Sequence, residues 1–251
     1  MMAGRVVCSF SCGAASAVAT KLAIADHPGA VIINAYIENE HKDNRRFLAD
    51  CEKWFGKSVT ILRDEKYGAD IIQVFRRKRF ISSPRGAACS SVLKQALLRA
   101  FDQPGDSVVI GYTAEEEGRL EDFVDRWPER KIIAPLIDRG LTKQDCLAMI
   151  ERAGIELPMM YRLGYDNANC IGCVKGGHGY FRAIREDFPA EFERLAAVEE
   201  EVGAKILRHR SGPLAGQRFG LRELPKGASA RNESVTACSF FCETAEQEYA
   251  A

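Results

Sequence analysis

Short apolar segments alternate with amphipathic ones through the first half of this chain, and this alternation constrains the fold more than any other feature. Four brief segments are rich in valine and isoleucine and are bounded by polar residues or glycine: Arg5–Phe10, Val31–Ile37, Ser58–Leu62 and Ser107–Gly111. Between them, three segments carry apolar residues at helical spacing: Ser16–Asp26, Asp43–Phe55 and Ser91–Phe101. Brief apolar runs of this kind are typical of buried parallel strands. The pattern predicts an α/β fold with a doubly wound, mostly parallel sheet flanked by helices.

The second half of the chain is predicted to be mainly helical. Thr142 is typical of a helix N-cap, and the helix that it begins extends to about Ala153. A long functional loop is expected over Leu157–Gly179, followed by a helix over Gly179–Val202 that is interrupted at Pro189. Glycine, proline, arginine and serine are then scattered without periodicity. We expect an α/β domain over residues 1–203, with a helical, cysteine-bearing C-terminal part, and an extended tail over 204–251.

The composition gives no electrostatic reason to expect a nucleic-acid or membrane partner. The 35 lysines and arginines balance the 35 aspartates and glutamates among 251 residues. No apolar run approaches the roughly 20 residues of a membrane span, and the N-terminus lacks a signal-peptide pattern. A cytoplasmic protein without membrane contact is therefore predicted. In a reducing compartment its nine cysteines are better candidates for metal ligands, nucleophiles or core residues than for disulfides.

A loop of small residues, Cys8–Ala17, joins the first predicted strand to the first predicted helix. Backbone N–H groups at such a helix N-terminus can close on an anion, and the hydroxyls of Ser9, Ser11 and Ser16 add donors. The segment is neither a Walker A motif nor G-x-G-x-x-G. It predicts either an anion site or a tight turn that lets the helix pack closely on the sheet.

Three cysteines form a second candidate site. Cys89 opens a helix-like segment, and 81 positions later Cys170 begins a C-x-x-C motif that ends at Cys173. Thiolates bind iron–sulfur clusters and zinc alike. The group predicts a [4Fe–4S] cluster, a structural zinc ion or unligated thiols, and Lys94 and Lys175 are placed to add charge near it.

Four short motifs follow one another along residues 5–175. They are Ser11–Ser16 (SCGAAS), Asn39–Asn44 with Phe47, Gly111–Glu116 with Arg119, and a stretch from Pro135 to Tyr161. In this order they resemble the motifs of the PAPS reductase-like family, the sulfonucleotide reductase branch of the adenine nucleotide alpha-hydrolase (PP-loop) superfamily. The first is similar to the S-x-G-x-x-A-A loop of that branch.

The resemblance implies an enzyme that binds an adenine nucleotide and cleaves an adenylyl sulfonucleotide reductively to sulfite and a nucleotide monophosphate. It also implies a thioredoxin-like reductant and is compatible with a homo-oligomer. Arg119 and Lys94 would neutralise negative charge during this reaction. The residues expected to contact the nucleotide are Ser9, Ser11, Cys12, Gly13, Ser16, Glu40, Gly111 and Glu116.

The chain departs from the family pattern at two positions. Ala15 stands where ATP pyrophosphatases of the superfamily have aspartate, so ATP cleavage between the alpha and beta phosphates is put in doubt. Ser90 replaces the second cysteine of the family's C-C-x-x-R-K motif, which leaves three of four expected cluster ligands. Three-cysteine relatives thiolate RNA, and the alternative function is therefore an iron–sulfur-dependent sulfurtransferase that uses ATP and acts on RNA or a nucleobase. A third alternative is a zinc-bearing nucleotide- or nucleic-acid-binding protein without catalysis.

The end of the chain carries a third candidate element. Cys238 resembles, in position and loosely in pattern, the cysteine of the family's C-terminal E-C-G-[IL]-H motif, which attacks the sulfonucleotide sulfur. Cys238 could equally bind metal together with Cys242, while Phe240 and Phe241 could simply anchor the chain end. Ser90, Cys12, Cys238 and Cys242 are all open as the fourth ligand of a cluster.

Overall fold

The computed structural model describes residues 4–83 and 86–235. Nine strands are present in these ranges: β1 (Val6–Ser9), β2 (Val31–Ala35), β3 (Thr60–Leu62), β4 (Ser82–Ser83), β5 (Gly86–Ala87), β6 (Ser107–Val109), β7 (Lys131–Ile133), β8 (Leu207–Arg208) and β9 (Arg218–Phe219). The first five helices are α1 (Ala14–Asp26), α2 (Asp43–Phe55), α3 (Ile71–Lys78), α4 (Ala88–Ser90) and α5 (Ala96–Phe101). The others are α6 (Glu117–Arg126), α7 (Lys143–Arg152), α8 (Met159–Arg162), α9 (His178–Asp187) and α10 (Pro189–Val202). A π-helical turn, Ser91–Gln95, joins α4 to α5.

The central sheet has five strands, all parallel, in the order β3-β2-β1-β6-β7. Val7 in β1 pairs with Val31 in β2 on one side and with Val108 in β6 on the other. The predicted doubly wound α/β fold is confirmed. The four predicted strands are present but shorter than their apolar runs, and β7 has no counterpart among them.

Successive side chains of a strand point to opposite faces of the sheet, and both faces of this sheet are covered by helices. Cys8 packs into a core that includes residues of α1, α2 and α7. Its neighbour Val7 packs with Ile33 and with Leu98 of α5 on the other side. Small residues such as Ala17, which is fully buried, let α1 approach the sheet closely.

The predicted helices of the second half are confirmed at their caps. The Thr142 side chain accepts the backbone N–H of Asp145, and the Asp145 carboxylate accepts the Thr142 N–H, which closes a capping box on α7. The helix expected over 179–202 is two helices, since α9 ends at Asp187 and α10 begins at Pro189. Proline lacks the N–H that a continuous helix would need at that point.

Residues 204–235 differ from the extended tail that their composition suggests. β8 and β9 form an antiparallel hairpin, and the buried side chains of Leu207, Phe219 and Leu221 join the core that contains α3, α9 and α10. Glu199 of α10 holds this segment, because its carboxylate accepts the backbone N–H groups of Ile206 and Leu221, each at 2.6 Å. The segment has no periodic pattern because it wraps around helices instead of forming a long element of its own.

The order of the strands indicates where a ligand site can lie. The strand order reverses between β1 and β6, and doubly wound sheets bind ligands at such a switch point, beyond the carboxyl ends of the strands. The loops after β1 and β6 lie on either side of this crevice.

In the part of the chain that the structure describes, no helix is both long and apolar enough to cross a membrane.

Candidate functional site

The crevice between β1 and β6 is built around a very close contact between two backbones. A Cβ atom at Gly111, just after β6, would lie 2.8 Å from the Ser16 Cα and 2.9 Å from the Ser16 nitrogen. Atoms cannot approach that closely, so only glycine lets the β6 loop meet the first turn of α1. The two family-like motifs at Ser11–Ser16 and Gly111–Glu116 are therefore neighbours in space.

Serine side chains hold the loop after β1 in shape. The Ser16 hydroxyl accepts the backbone N–H of Ser11 at 3.1 Å and donates to the carbonyl oxygen of Gly13 at 2.9 Å. Because this hydroxyl has only one proton, Ser16 shapes the loop and its side chain is already engaged. The Ser9 hydroxyl, at the end of β1, is buried without a hydrogen-bond partner among residues 4–83 and 86–235.

Cys12 adopts a backbone conformation that is rare for its residue type. Its φ is +58°, in the left-handed region that favours glycine, and its side chain is fully buried. Burial, then the nearby Glu40 carboxylate, raises the pKa of the Cys12 thiol well above its usual value. The thiol is thus protonated at neutral pH, which indicates a packing role and not a nucleophile.

A buried polar network fixes the same loop from the side of β2. The Asn34 side-chain amide donates to the carbonyl oxygen of Phe10 at 2.8 Å and to the Cys12 sulfur at 3.5 Å. Arg45 donates to the Asn34 side-chain oxygen at 3.3 Å and to Glu40 at 3.2 Å. Glu40, expected to contact a nucleotide, therefore faces this network and positions the loop through Arg45 and Asn34.

Lys94 connects the crevice to the cysteine region. It is buried, and its positive charge acts on both Glu40 and Cys12, whose pKa values it lowers against the effect of burial. The same helical segment carries Cys89 and Ser90 one turn earlier. Lys94 thus brings positive charge to Glu40 and Cys12 from the helical segment that also carries Cys89 and Ser90.

Glu116 and Arg119 form one unit beside the crevice. Glu116 pairs with Arg119 and also accepts the backbone N–H of Thr113 at 3.2 Å, which caps the turn that precedes α6. The guanidinium carbon of Arg119 lies 4.4 Å from the centre of the Tyr112 ring. Glu116 therefore orients Arg119, and the ring supports the cation by a cation–π contact.

The predicted cysteine group is brought together in space. Cys89, Ser90, Cys170 and Cys173 line one small cavity, although two of them lie in α4 and two in the loop before α9. Ser90 is almost fully buried there. Ser90 thus faces the same cavity as the three thiols.

The C-x-x-C motif forms a tight turn because of its central glycine. The Cys173 N–H donates to the Cys170 carbonyl oxygen at 3.1 Å, and Gly172, with a φ of +76°, supplies the left-handed conformation that such a turn requires. The Tyr180 hydroxyl accepts the Cys173 N–H at 2.9 Å and donates to the Cys170 carbonyl oxygen at 3.2 Å. Gly176 gives the Tyr180 ring its space, since a Cβ there would lie 2.0 Å from that ring.

The side chains at this cavity have the chemistry of cluster or metal ligands, but the described ones do not have the spacing of a single-metal site. Three thiols from two segments converge, and thiolate is the ligand of iron–sulfur clusters and of structural zinc. Within the two described ranges, no three His, Cys, Asp or Glu side chains stand close enough together to hold a single metal ion. Cys238 and Cys242 lie outside the described residues.

Several residues of the site carry no sequence prediction of their own. The Tyr161 hydroxyl accepts the N–H of Ala14 at the start of α1, and Tyr180 holds the C-x-x-C turn. Asn34 and Arg45 form the buried network described above. In the sequence, Tyr161 was marked only by its place in the motif that ends at Tyr161. No sequence feature marked Tyr180, Asn34 or Arg45 as residues of the site.

Comparison of the chain with models of known protein families and with curated proteins gave no match.

Proposed function

We propose that this chain binds an adenine sulfonucleotide in the crevice between β1 and β6 and cleaves it reductively to sulfite and a nucleotide monophosphate. The observation that carries the proposal is the convergence of Cys89, Cys170 and Cys173 with Ser90 on one cavity, one helical turn from Lys94. A nucleotide-binding loop alone serves many chemistries. A thiol group beside it favours sulfur chemistry.

The crevice supplies the anion-binding groups. The first turn of α1 directs its N–H groups and its dipole towards the loop at Ser11 and Gly13, which suits a phosphate or phosphosulfate. Arg119 adds a guanidinium held by Glu116 and Tyr112. These groups stabilise negative charge on the leaving nucleotide as the bond to sulfur breaks.

The proposed reaction uses the Cys238 thiol first and a dithiol reductant afterwards. The Cys238 thiolate attacks the sulfate sulfur, the sulfur–oxygen bond breaks, and the nucleotide monophosphate leaves with the electron pair. One thiolate of a thioredoxin-type dithiol then attacks the cysteine sulfur of the resulting S-sulfocysteine, which releases sulfite and forms a mixed disulfide with Cys238. The second thiol of the reductant attacks the reductant's own sulfur in this mixed disulfide, which frees the Cys238 thiolate and leaves the reductant as a disulfide. The described chain ends at Val235, whose carbonyl oxygen is bound by the Asn167 side chain, three residues before Cys170. Cys238 lies three positions further along the sequence, outside the described residues.

The cysteine cavity is the proposed site of an iron–sulfur cluster held by Cys89, Cys170 and Cys173. When bound, a cluster would supply iron and sulfide at this cavity. Lys94 places a positive charge between this cavity and the crevice, where it balances the substrate's negative charge.

One observation favours a second candidate function. Ser90, which is buried in the cavity wall, gives a cluster only three thiolate ligands from the described residues. An iron without a fourth thiolate can bind a sulfide, as a sulfurtransferase acting on RNA or a nucleobase requires. Such an enzyme would consume ATP and would form no sulfite.

Anaerobic purification and turnover test the proposal together. We expect iron and acid-labile sulfide in the protein, an absorbance at about 400 nm, and equal amounts of sulfite and nucleotide monophosphate from adenylyl sulfate with a dithiol protein. Cys170→Ala should lose iron, and Cys238→Ser should keep iron but release no sulfite. Cys146→Ala is the matched control, because Cys146 is a buried residue of α7 and does not line the cavity.

The same experiment separates the alternatives. Iron-containing protein that consumes ATP and thiolates RNA without releasing sulfite would support the sulfurtransferase. Protein that contains zinc, and neither iron nor sulfide, would contradict both cluster-dependent functions.

A further inference from the structure

Tyr161 is fixed in front of the first turn of α1 by contacts far from it in the sequence. It belongs to the short helix α8, which begins where the Met159 N–H donates to the Asp43 carboxylate at 2.8 Å. Arg46 donates to the same carboxylate and to the carbonyl oxygen of Leu157. This bridge to α2 holds the backbone of α8, and the Tyr161 ring packs against the core under α1.

The Tyr161 hydroxyl takes the place of a helix cap. Gly13 is the N-cap of α1 and has no side chain to accept a hydrogen bond, and the first turn contains no acidic residue. The Ala14 N–H instead donates to the Tyr161 oxygen at 3.3 Å. A tyrosine 147 positions away thus satisfies one of the N–H groups that a helix leaves unpaired at its start.

The hydroxyl still has its proton to donate. Burial raises the pKa of Tyr161 to about 12, so the phenol stays neutral at physiological pH. Its oxygen accepts the Ala14 backbone N–H. Since a hydroxyl has one proton and two lone pairs, accepting the Ala14 N–H leaves the proton available to a further acceptor.

We infer that Tyr161 donates a hydrogen bond to the tetrahedral oxyanion, a phosphate or sulfate group, that the loop after β1 binds. The inference rests on the proposed nucleotide site. An anion at the positive end of α1 would accept this proton, and Tyr161 would add a neutral donor to the N–H groups of the helix. Tyr161 is then a binding residue for the charged part of the ligand and not for its base.

Titration calorimetry of the full chain with AMP, adenosine and inorganic sulfate tests this role. Tyr161→Phe should weaken AMP and sulfate binding about tenfold or more, because it removes a hydrogen bond to a charged group. Adenosine, which has no phosphate, should bind the variant and the wild type equally. Tyr165→Phe is the control, because the Tyr165 hydroxyl donates to Asp187, away from α1, and AMP affinity should not change.

Each other result contradicts an identifiable claim. Unchanged AMP affinity in Tyr161→Phe overturns the inference, and an equal loss of AMP and adenosine binding shows that Tyr161 only supports the fold. If wild-type protein binds sulfate but not AMP, the nucleotide proposal fails while the sulfate comparison still tests Tyr161. If it binds none of the three, both proposals are wrong.

Discussion

At the scale of single residues, two backbone positions decide whether the loop after β1 can form. Gly111 lets the β6 loop touch the backbone of Ser16, and Cys12 holds a left-handed conformation at a cost of about 1 kcal/mol. The bonds from Asn34 to Phe10 and Cys12 maintain that conformation. The position of the proposed anion site therefore depends on backbone geometry more than on the serine hydroxyls.

Gly111→Ala should displace the first turn of α1 and destabilise the protein by about 2 kcal/mol or more, because the new methyl group overlaps backbone atoms that cannot move alone. Gly118→Ala is the matched control. A Cβ there meets nothing within 4 Å, and alanine favours a helix, so we expect no loss and a gain of up to about 1 kcal/mol. Urea denaturation of both variants, with AMP titration, makes the comparison. Equal stability of the two would show that the close contact is not rigid.

At the scale of elements, the cysteine cavity depends on how the C-x-x-C turn is held. The turn is fixed by the Tyr180 hydroxyl, and the Ile171 N–H donates to the Asn39 carbonyl oxygen at 2.9 Å. Tyr180 lies in α9, and Asn39 lies in the loop after β2. A helix and a loop that are distant from each other in the sequence thus hold the C-x-x-C turn opposite Cys89.

Tyr180→Phe should destabilise the protein by about 1 kcal/mol, because the turn loses both hydrogen bonds to the hydroxyl while the Cys173 N–H and the Cys170 carbonyl keep their bond to each other. The variant should also retain less iron after anaerobic purification. Tyr36→Phe is the control, since it removes a hydroxyl that donates to Glu38 at an exposed position. Thermal denaturation and iron analysis are the measurements, and a Tyr180→Phe protein with wild-type stability and iron content would contradict the role of the turn.

At the scale of the whole molecule, two cores meet at the proposed site. One lies between the sheet and α1, α2 and α7, and the other joins α3, α9, α10 and residues 204–235. The crevice belongs to the first core, and the cysteine cavity to the second. The C-terminal segment therefore stabilises the half of the molecule that carries the cysteines.

Glu199→Gln should loosen this segment, because an amide has one oxygen where the carboxylate accepts two backbone N–H groups. We expect a loss of about 1–3 kcal/mol. Burial raises the pKa of Glu199 from 4.5. The stabilisation that follows from this raised pKa is therefore fully present below pH 4.5. It is lost as the pH rises through the pKa of Glu199 in the folded protein.

The difference between wild type and Glu199→Gln should accordingly be larger at pH 5 than at pH 7, as measured by urea denaturation at the two values. Limited proteolysis should cut residues 204–235 faster in this variant. Glu200→Gln is the neighbouring control, because Glu200 is exposed and only pairs with Arg222. A stability difference between wild type and Glu199→Gln that grows with pH would contradict a raised pKa of Glu199.

The pattern of the sequence predicted the elements that repeat. The alternation of apolar runs predicted the parallel sheet, Thr142 predicted the start of α7, and Pro189 predicted the break between α9 and α10. These features follow from local rules, since strand burial, capping and the missing proline N–H each act within a few residues. The hairpin of β8 and β9 could not be predicted in this way, because its side chains are buried by helices distant in the sequence.

The sequence by itself determined the fold class and the identity of the thiols that converge. The tertiary structure alone decided that Ser90 shares their cavity, that Glu40 and Glu116 orient arginines, and that Tyr161 caps α1. The physical reason is the range of the interactions. Helix and strand preferences are set by neighbours along the chain, whereas a hydrogen bond across 147 positions exists only after the chain has packed.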